Sequence, residues 1–147
     1  MSGALVDPQA WKKAQDAVDK VFKKFEEDKK DFVWKRFTDT YEARGTIVQE
    51  QPADRWLLYK GLFYIVEIKS CYQDRFPLKD VRPAQFAGAR RVTAAGGVSV
   101  FLLRHEVTKT WYKVPGMEMW QYKHDGHSSL PRWEGLHAID LCMEDIL

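Results

Sequence analysis

The stretch from residue 52 to residue 70, PADRWLLYKGLFYIVEIKS, predicts a β-hairpin around which the rest of the chain is arranged. Residues 56–59 and 62–66 are aromatic, aliphatic or β-branched, which is typical of strands. Lys60 and Gly61 lie between them and suit a two-residue turn, because glycine readily adopts the positive φ angle that such a turn requires.

The predicted hairpin brings two acidic side chains together. With a loop of only two residues, Asp54 faces Glu67 across the hairpin. Lys69 lies two residues beyond Glu67 and therefore points to the same face of the sheet. Like charges opposed on a sheet are destabilising, and a divalent cation such as Mg²⁺, which prefers oxygen ligands, would remove the conflict. The alternative is an ordinary surface hairpin with unrelated charges.

Length and composition predict one domain with a substantial core. The chain has 147 residues, of which 45% are hydrophobic, and this length is that of one domain. The net charge is only +2, which is not typical of a strongly basic protein that coats nucleic acid but is compatible with a nuclease. The sequence contains no apolar run long enough for a membrane helix and no signal peptide pattern, so we expect a cytoplasmic protein without a membrane partner.

Periodicity along the chain predicts an α/β fold, with a central mixed β-sheet flanked by helices. An amphipathic helix is expected from Asp7-Pro8 to about residue 30. The other expected elements are strands at 31–40, 98–103 and 110–114, a helix at 84–95 and a short final helix within 138–147. A strand, a crossover helix and a second strand in that order indicate a parallel pair.

Four motifs occur in an order that resembles a known family. They are Glu67-Ile68-Lys69, Phe76-Pro77-Leu78, Gln85 and Gly96-Gly97-Val98. Together with Pro52-Ala53-Asp54, the first of them resembles the PD-(D/E)xK nucleases, and the whole series resembles the RecU-type Holliday junction resolvases. The resemblance spans residues 52–115 and implies a restriction-endonuclease-like core.

The resemblance implies a homodimeric, Mg²⁺-dependent endonuclease that cuts four-way DNA junctions, with Mn²⁺ as a substitute metal. Asp54 and Glu67 would be metal ligands together with the carbonyl of Ile68, and Lys69 would be the catalytic lysine. Gln85 would position water or the scissile phosphate. A purely structural role for Gln85, as a capping side chain at the start of its helix, is the alternative.

The sequence departs from the family pattern in three ways. Ala84 precedes Gln85 where the family has histidine. The family also takes an acidic residue from the first helix, and Asp16, Asp19 and Glu26 are the candidates here. Members of the family also carry a stalk that enters the junction, and this sequence has no obvious long insertion that could form it.

Basic and aromatic residues suggest how DNA and a second subunit would be bound. The candidates for phosphate contacts are Lys35, Arg36, Arg44, Arg75, Lys79 and Arg82, each of which is alternatively an ordinary solubilising charge. A dimer is expected because resolving a junction requires paired cuts. The candidates for its interface, or alternatively for the core, are Trp111, Met117, Met119, Trp120 and Trp133.

Two other functions remain open at the level of sequence. One is a PD-(D/E)xK endonuclease that acts on linear duplex DNA. The other is a DNA-binding module that has the same fold but no catalytic activity.

Overall fold

The structure, a computed structural model, describes residues 6–37 and 51–147. In these residues the helices are α1 (Ala10–Asp28), α2 (Pro83–Ala94), α3 (Gly116–His124) and α4 (Met143–Ile146). The strands are β1 (Phe32–Arg36), β2 (Arg55–Tyr59), β3 (Leu62–Cys71), β4 (Arg75–Pro77), β5 (Val98–His105), β6 (Thr110–Pro115), β7 (Ser129–Arg132) and β8 (His137–Ile139).

Six of the described strands form one mixed sheet in the order β1-β2-β3-β5-β6-β8. Strands β3 and β5 are parallel and are joined through α2, whereas the other neighbours are antiparallel. The predicted mixed sheet flanked by helices is therefore confirmed. In chain order, α1 is followed by the antiparallel strands β1, β2 and β3 and then, after the short strand β4, by the crossover helix α2 and the parallel strand β5.

The central hairpin has the predicted register. Lys60 and Gly61 have φ angles of 51° and 77°, which are typical of the type I′ turn that joins twisted antiparallel strands. Leu57 pairs with Tyr64, and Arg55 pairs with Val66. A local turn signal was therefore sufficient to predict which residues face each other across the hairpin.

The sheet separates two hydrophobic clusters. On one side, which we call the α1 face, Leu57 and Val66 pack with Phe22 of α1. On the other side, the α2 face, Phe101 packs with Phe86 of α2 and with residues of α3. Side chains alternate between the two faces along each strand, so the odd-numbered residues of β3, including Glu67 and Lys69, belong to the α2 face.

The C-terminal part of the chain differs from the prediction. The expected final helix at 138–147 is wrong in its first half, because His137–Ile139 forms strand β8 and only Met143–Ile146 is helical. Pairing of β8 with β6, which makes β8 the edge strand of the sheet, outweighs the weak local preference for a helix. Helix α3 was not predicted.

Most of the residues considered for a dimer interface contribute to the core instead. Trp111, Met119 and Trp133 are almost fully buried within the subunit. Met117 and Trp120 are half-buried. The burial of the first three residues is explained by packing within one chain, so none of them is available for contact with a second copy.

Candidate active site

Asp54 remains in register with the hairpin although β2 begins one residue later. Its carbonyl accepts a hydrogen bond from the N–H of Phe37, at 3.0 Å. Its carboxylate oxygen Oδ2 accepts one from the N–H of Ile68, also at 3.0 Å. Asp54 is thereby fixed opposite Glu67, as predicted, at a position where the side chains of an antiparallel pair approach most closely.

The carboxyl group of Glu67 is buried in an unfavourable environment. The residue is 3% exposed, and burial raises the pKa of its carboxyl well above the usual range. The charge of Asp54, and a hydrogen bond with that side chain, raise this pKa further. Lys69 and Arg82 lower it, but less strongly.

One oxygen of Glu67 has nothing to bind when both acids are ionised. Its Oε2 is buried and has no hydrogen-bond partner in the described part of the chain. Two ionised carboxylates cannot bond to each other, because both only accept hydrogen bonds. The pair can therefore be stabilised either by a shared proton, which is consistent with the raised pKa, or by a cation.

Lys69 supplies the nearest positive charge on the same strand. Its Nζ lies 3.8 Å from Oε1 of Glu67, and its side chain is 21% exposed. The ammonium group thus contacts the buried acid at one side while remaining accessible from solvent. This is the arrangement that the Glu-x-Lys spacing predicted.

Helix α2 packs against the segment that carries Asp54, because a Cβ atom at Gly88 would lie 2.3 Å from Cβ of Pro52, and the charge of Arg82 before this helix lowers the pKa of Glu67. Gln85 is almost fully buried in the first turn of this helix. Its Oε1 accepts a hydrogen bond from the backbone N–H of Arg82 at 2.9 Å, which forms half of a capping box. The structure therefore gives Gln85 the capping contact that the sequence left as an alternative.

None of the candidate acids of the first helix joins the pair. Asp16 and Glu26 are exposed. Asp19 binds Arg55 on the α1 face through two contacts, Oδ1 to Nε at 2.7 Å and Oδ2 to Nη2 at 3.0 Å. Nη1 of Arg55 also donates to the carbonyl of Asp54 at 2.9 Å.

Arg55 is thus a positioning residue that the sequence reasoning missed. It is almost fully buried and links α1 to the backbone of Asp54. A signal was present in the sequence, because Arg55 occupies an inward position in an apolar strand, where a charge requires a partner. The identity of that partner depended on how α1 packs on the sheet.

The residues present fit a divalent cation bound largely by oxygen. Residues 6–37 and 51–147 contain no group of three or more His, Cys, Asp or Glu side chains that could hold a metal. The pair Asp54 and Glu67 offers two carboxylates, one of them with an oxygen that lacks a partner. The N–H of Ile68 points toward β2, and its carbonyl leaves the strand on the same side. Mg²⁺ commonly binds one or two carboxylates and completes its shell with water and phosphate.

The basic residues proposed to contact DNA are distributed over both faces. Lys35 pairs with Trp56, on the face that carries Glu67, whereas Arg36 pairs with Arg55 and belongs to the α1 face. The remaining described candidates, Arg75, Lys79 and Arg82, are exposed. Arg44 lies outside the described residues.

In the part of the chain that the structure describes, helices long and apolar enough to cross a membrane are absent.

Comparisons with known proteins give a family and several similar solved structures. Among the solved structures is Hjc, a Holliday junction resolvase from the archaeal hyperthermophile Archaeoglobus fulgidus, at 15% identity and a TM-score of 0.46. The match covers 86% of this chain and 84% of that chain. A comparison with curated protein sequences found no match. The family model described as Recombination protein U matches residues 16–135, which is most of the sequence, and the chain therefore belongs to the Recombination protein U (RecU) family.

Proposed function

We propose that this protein is an endodeoxyribonuclease that resolves four-way DNA junctions by metal-dependent hydrolysis of phosphodiester bonds. The observation that carries the proposal is the buried Glu67 carboxylate, which faces Asp54, has an unpartnered oxygen and lies beside Lys69. Membership of the RecU family supports branched DNA as the substrate.

In the proposed mechanism, Asp54, Glu67 and the carbonyl of Ile68 would hold the cation, which is Mg²⁺ or its substitute Mn²⁺. Such an ion would polarise the scissile phosphate and lower the pKa of the attacking water. The Lys69 ammonium is accessible beside Glu67, where it stabilises the negative charge that develops on the phosphate. Arg82 adds a second positive charge at the same site.

The proposal extends to the assembly. Residues 1–147 form a single nuclease domain, and two copies act together, because resolution requires symmetric cuts in two strands. Exposed basic residues contact phosphates, namely Lys35, Arg75, Lys79 and Arg82. Such contacts position DNA without reading its sequence. This suits an enzyme that recognises branched shape, and Gln85 supports the site by fixing the start of α2.

The test compares cleavage of a synthetic four-way junction with cleavage of a matched linear duplex, in Mg²⁺, Ca²⁺ or EDTA. We expect cleavage of the junction in Mg²⁺ alone. Lys69→Ala should lower the rate by about 100-fold or more. Asp54→Asn should abolish cleavage, although asparagine can still accept the hydrogen bond from Ile68.

The controls are Asp16→Asn and Lys60→Ala, which change exposed charges elsewhere and should leave cleavage unchanged. Equal cutting of both substrates would favour a nuclease of linear duplex DNA. Binding without any metal-dependent cutting would favour a DNA-binding module with no catalytic activity.

A further inference from the structure

A positively charged groove lies between α2 and α3, beyond the acidic pair. It has a volume of about 790 Å³. Its lining includes four basic residues, namely Lys79, Arg90, Arg91 and Lys123, and no acidic residue among those described. Only Lys79 of these four was considered from sequence, because the groove exists only once α2 and α3 are packed side by side.

The cations of the groove are available to an external partner. Among the described residues, no carboxylate lies within ion-pair distance of Arg90, Arg91 or Lys123. The guanidinium of Arg90 lies 5.0 Å from the ring centre of Trp120, and Trp120 in turn stacks on His124 at 4.6 Å. This stacking holds one charge at the groove wall without neutralising it.

The groove runs along α2, which packs against the segment that carries Asp54, since a Cβ atom at Gly88 would lie 2.3 Å from Cβ of Pro52. One end of the groove is lined by Lys79 and Pro83. The other end is lined by Ala94. At 1.5 Å per residue this length of helix is about 16 Å, which corresponds to roughly five phosphates of one strand along a duplex axis.

We propose that this groove binds the phosphate backbone of the DNA arm that would be cut at the acidic pair. The inference rests on the proposed function for the position of the cut, but the groove itself requires only a polyanion with regularly spaced charges. A DNA backbone fits because the lining carries several cations and no described acid. Contacts of this kind bind junction arms and linear duplex alike.

The test measures DNA binding in EDTA, where cleavage does not contribute. Fluorescence anisotropy with a labelled four-way junction, at salt concentrations from about 50 to 200 mM, gives the slope of log affinity against log salt. The double variant Arg91→Ala, Lys123→Ala leaves the stacked Arg90 in place. Its slope should be less steep by about 1.8, with a loss of affinity of about tenfold or more.

The matched control removes two exposed lysines from α1, in the variant Lys23→Ala, Lys24→Ala. Its slope should equal that of the wild type. The single variants Arg91→Ala and Lys123→Ala should each give about half of the change in slope, and they keep the test decisive if the double variant does not fold. A double variant that binds like the wild type, or a control that loses as much, overturns the proposal.

The outcomes separate this inference from the proposed function. If the wild type cuts junctions while the groove variants keep the full salt dependence, the inference fails and the nuclease proposal stands. If the groove variants lose binding while the wild type cuts no DNA, the nuclease proposal fails and the groove remains a DNA-binding surface.

Discussion

At the scale of single residues, Glu67 is the position at which stability and proposed function conflict. A buried acid beside another acid opposes folding, and a sequence selected only for stability would avoid it. Such local conflicts are expected at functional sites. In this chain the conflict is relieved by binding a proton or a cation. Its effect on the free energy of unfolding can therefore be measured without any cleavage assay.

The first prediction concerns the pH dependence of stability. The pKa of Glu67 is raised in the folded state, so the folded protein binds more protons than the unfolded chain between the usual value of 4.5 and the raised value. The free energy of unfolding must then fall as pH rises through that window, by up to about 1.4 kcal/mol per pH unit. Glu67→Gln should remove this slope and stabilise the metal-free protein above the window.

Urea unfolding in EDTA at a series of pH values checks this prediction. The control is Glu27→Gln, which changes an exposed acid of α1 and should leave the pH profile unchanged. Parallel profiles for the wild type and Glu67→Gln would show that the buried carboxyl does not oppose folding.

The second prediction concerns the ion pair between Asp19 and Arg55. Both residues are buried and make two contacts, and removal of one partner leaves the other charge uncompensated. Asp19→Asn should therefore lower the free energy of unfolding by about 3 kcal/mol. Asp16→Asn, an exposed acid on the same helix, should change it by less than about 0.5 kcal/mol. Equal stability of the two variants in urea unfolding would contradict a structural role for the pair.

At the scale of secondary structure, local rules predicted the elements that form around turns and sustained periodicity. The Lys60-Gly61 turn fixed the register of β2 and β3. Helix α2 and strand β5, which follow, were predicted to within two residues at each end. Strand β8 was missed because its three residues are defined by pairing with β6. The partner of Arg55 was missed for the same reason, since it depends on the packing of α1.

The third prediction tests whether α2 positions the acidic pair. A Cβ atom at Gly88 would lie only 2.3 Å from Cβ of Pro52, two residues before Asp54. Gly88→Ala must therefore displace either α2 or the segment that carries Asp54. We expect a rate of junction cleavage lower by about 10-fold to 100-fold, since small misplacements of catalytic groups have effects of this size.

The matched control is Gly135→Ala, which adds the same methyl group where its nearest contact, Cβ of Pro131, is at an ordinary 3.5 Å. This variant should cut junctions at the wild-type rate. Circular dichroism would verify that both variants are folded. A Gly88→Ala variant that cuts normally would show that the packing of α2 against Pro52 does not position Asp54.

At the scale of the whole molecule, one half of the α2 face is covered by helices and the other half is partly exposed. Strands β5 and β6 are covered by α2 and α3, whose side chains form a buried cluster with them. Val33, Leu58 and Phe63 form one row across β1, β2 and β3 on the same face and remain 42%, 41% and 39% exposed. This apolar row lies on the face that carries Glu67, so a second copy seated there would bring two sites close together.

The fourth prediction is that the row formed by Val33, Leu58 and Phe63 joins two copies of the chain. Light scattering coupled to size exclusion should give a mass near twice the 17.2 kDa of the chain for the wild type. Leu58→Glu should give the mass of one chain, because a charge in the middle of an apolar contact loses its hydration. Val107→Glu changes a valine that is more accessible than Leu58, 55% exposed in the turn after β5, and should remain dimeric.

On a plasmid with an extruded cruciform, the dimer should make paired cuts that yield linear DNA, whereas Leu58→Glu should yield nicked circles, because one copy holds one site. A monomeric wild type that still produces linear DNA would contradict the requirement for two copies, and a dimeric Leu58→Glu would place the contact on another surface.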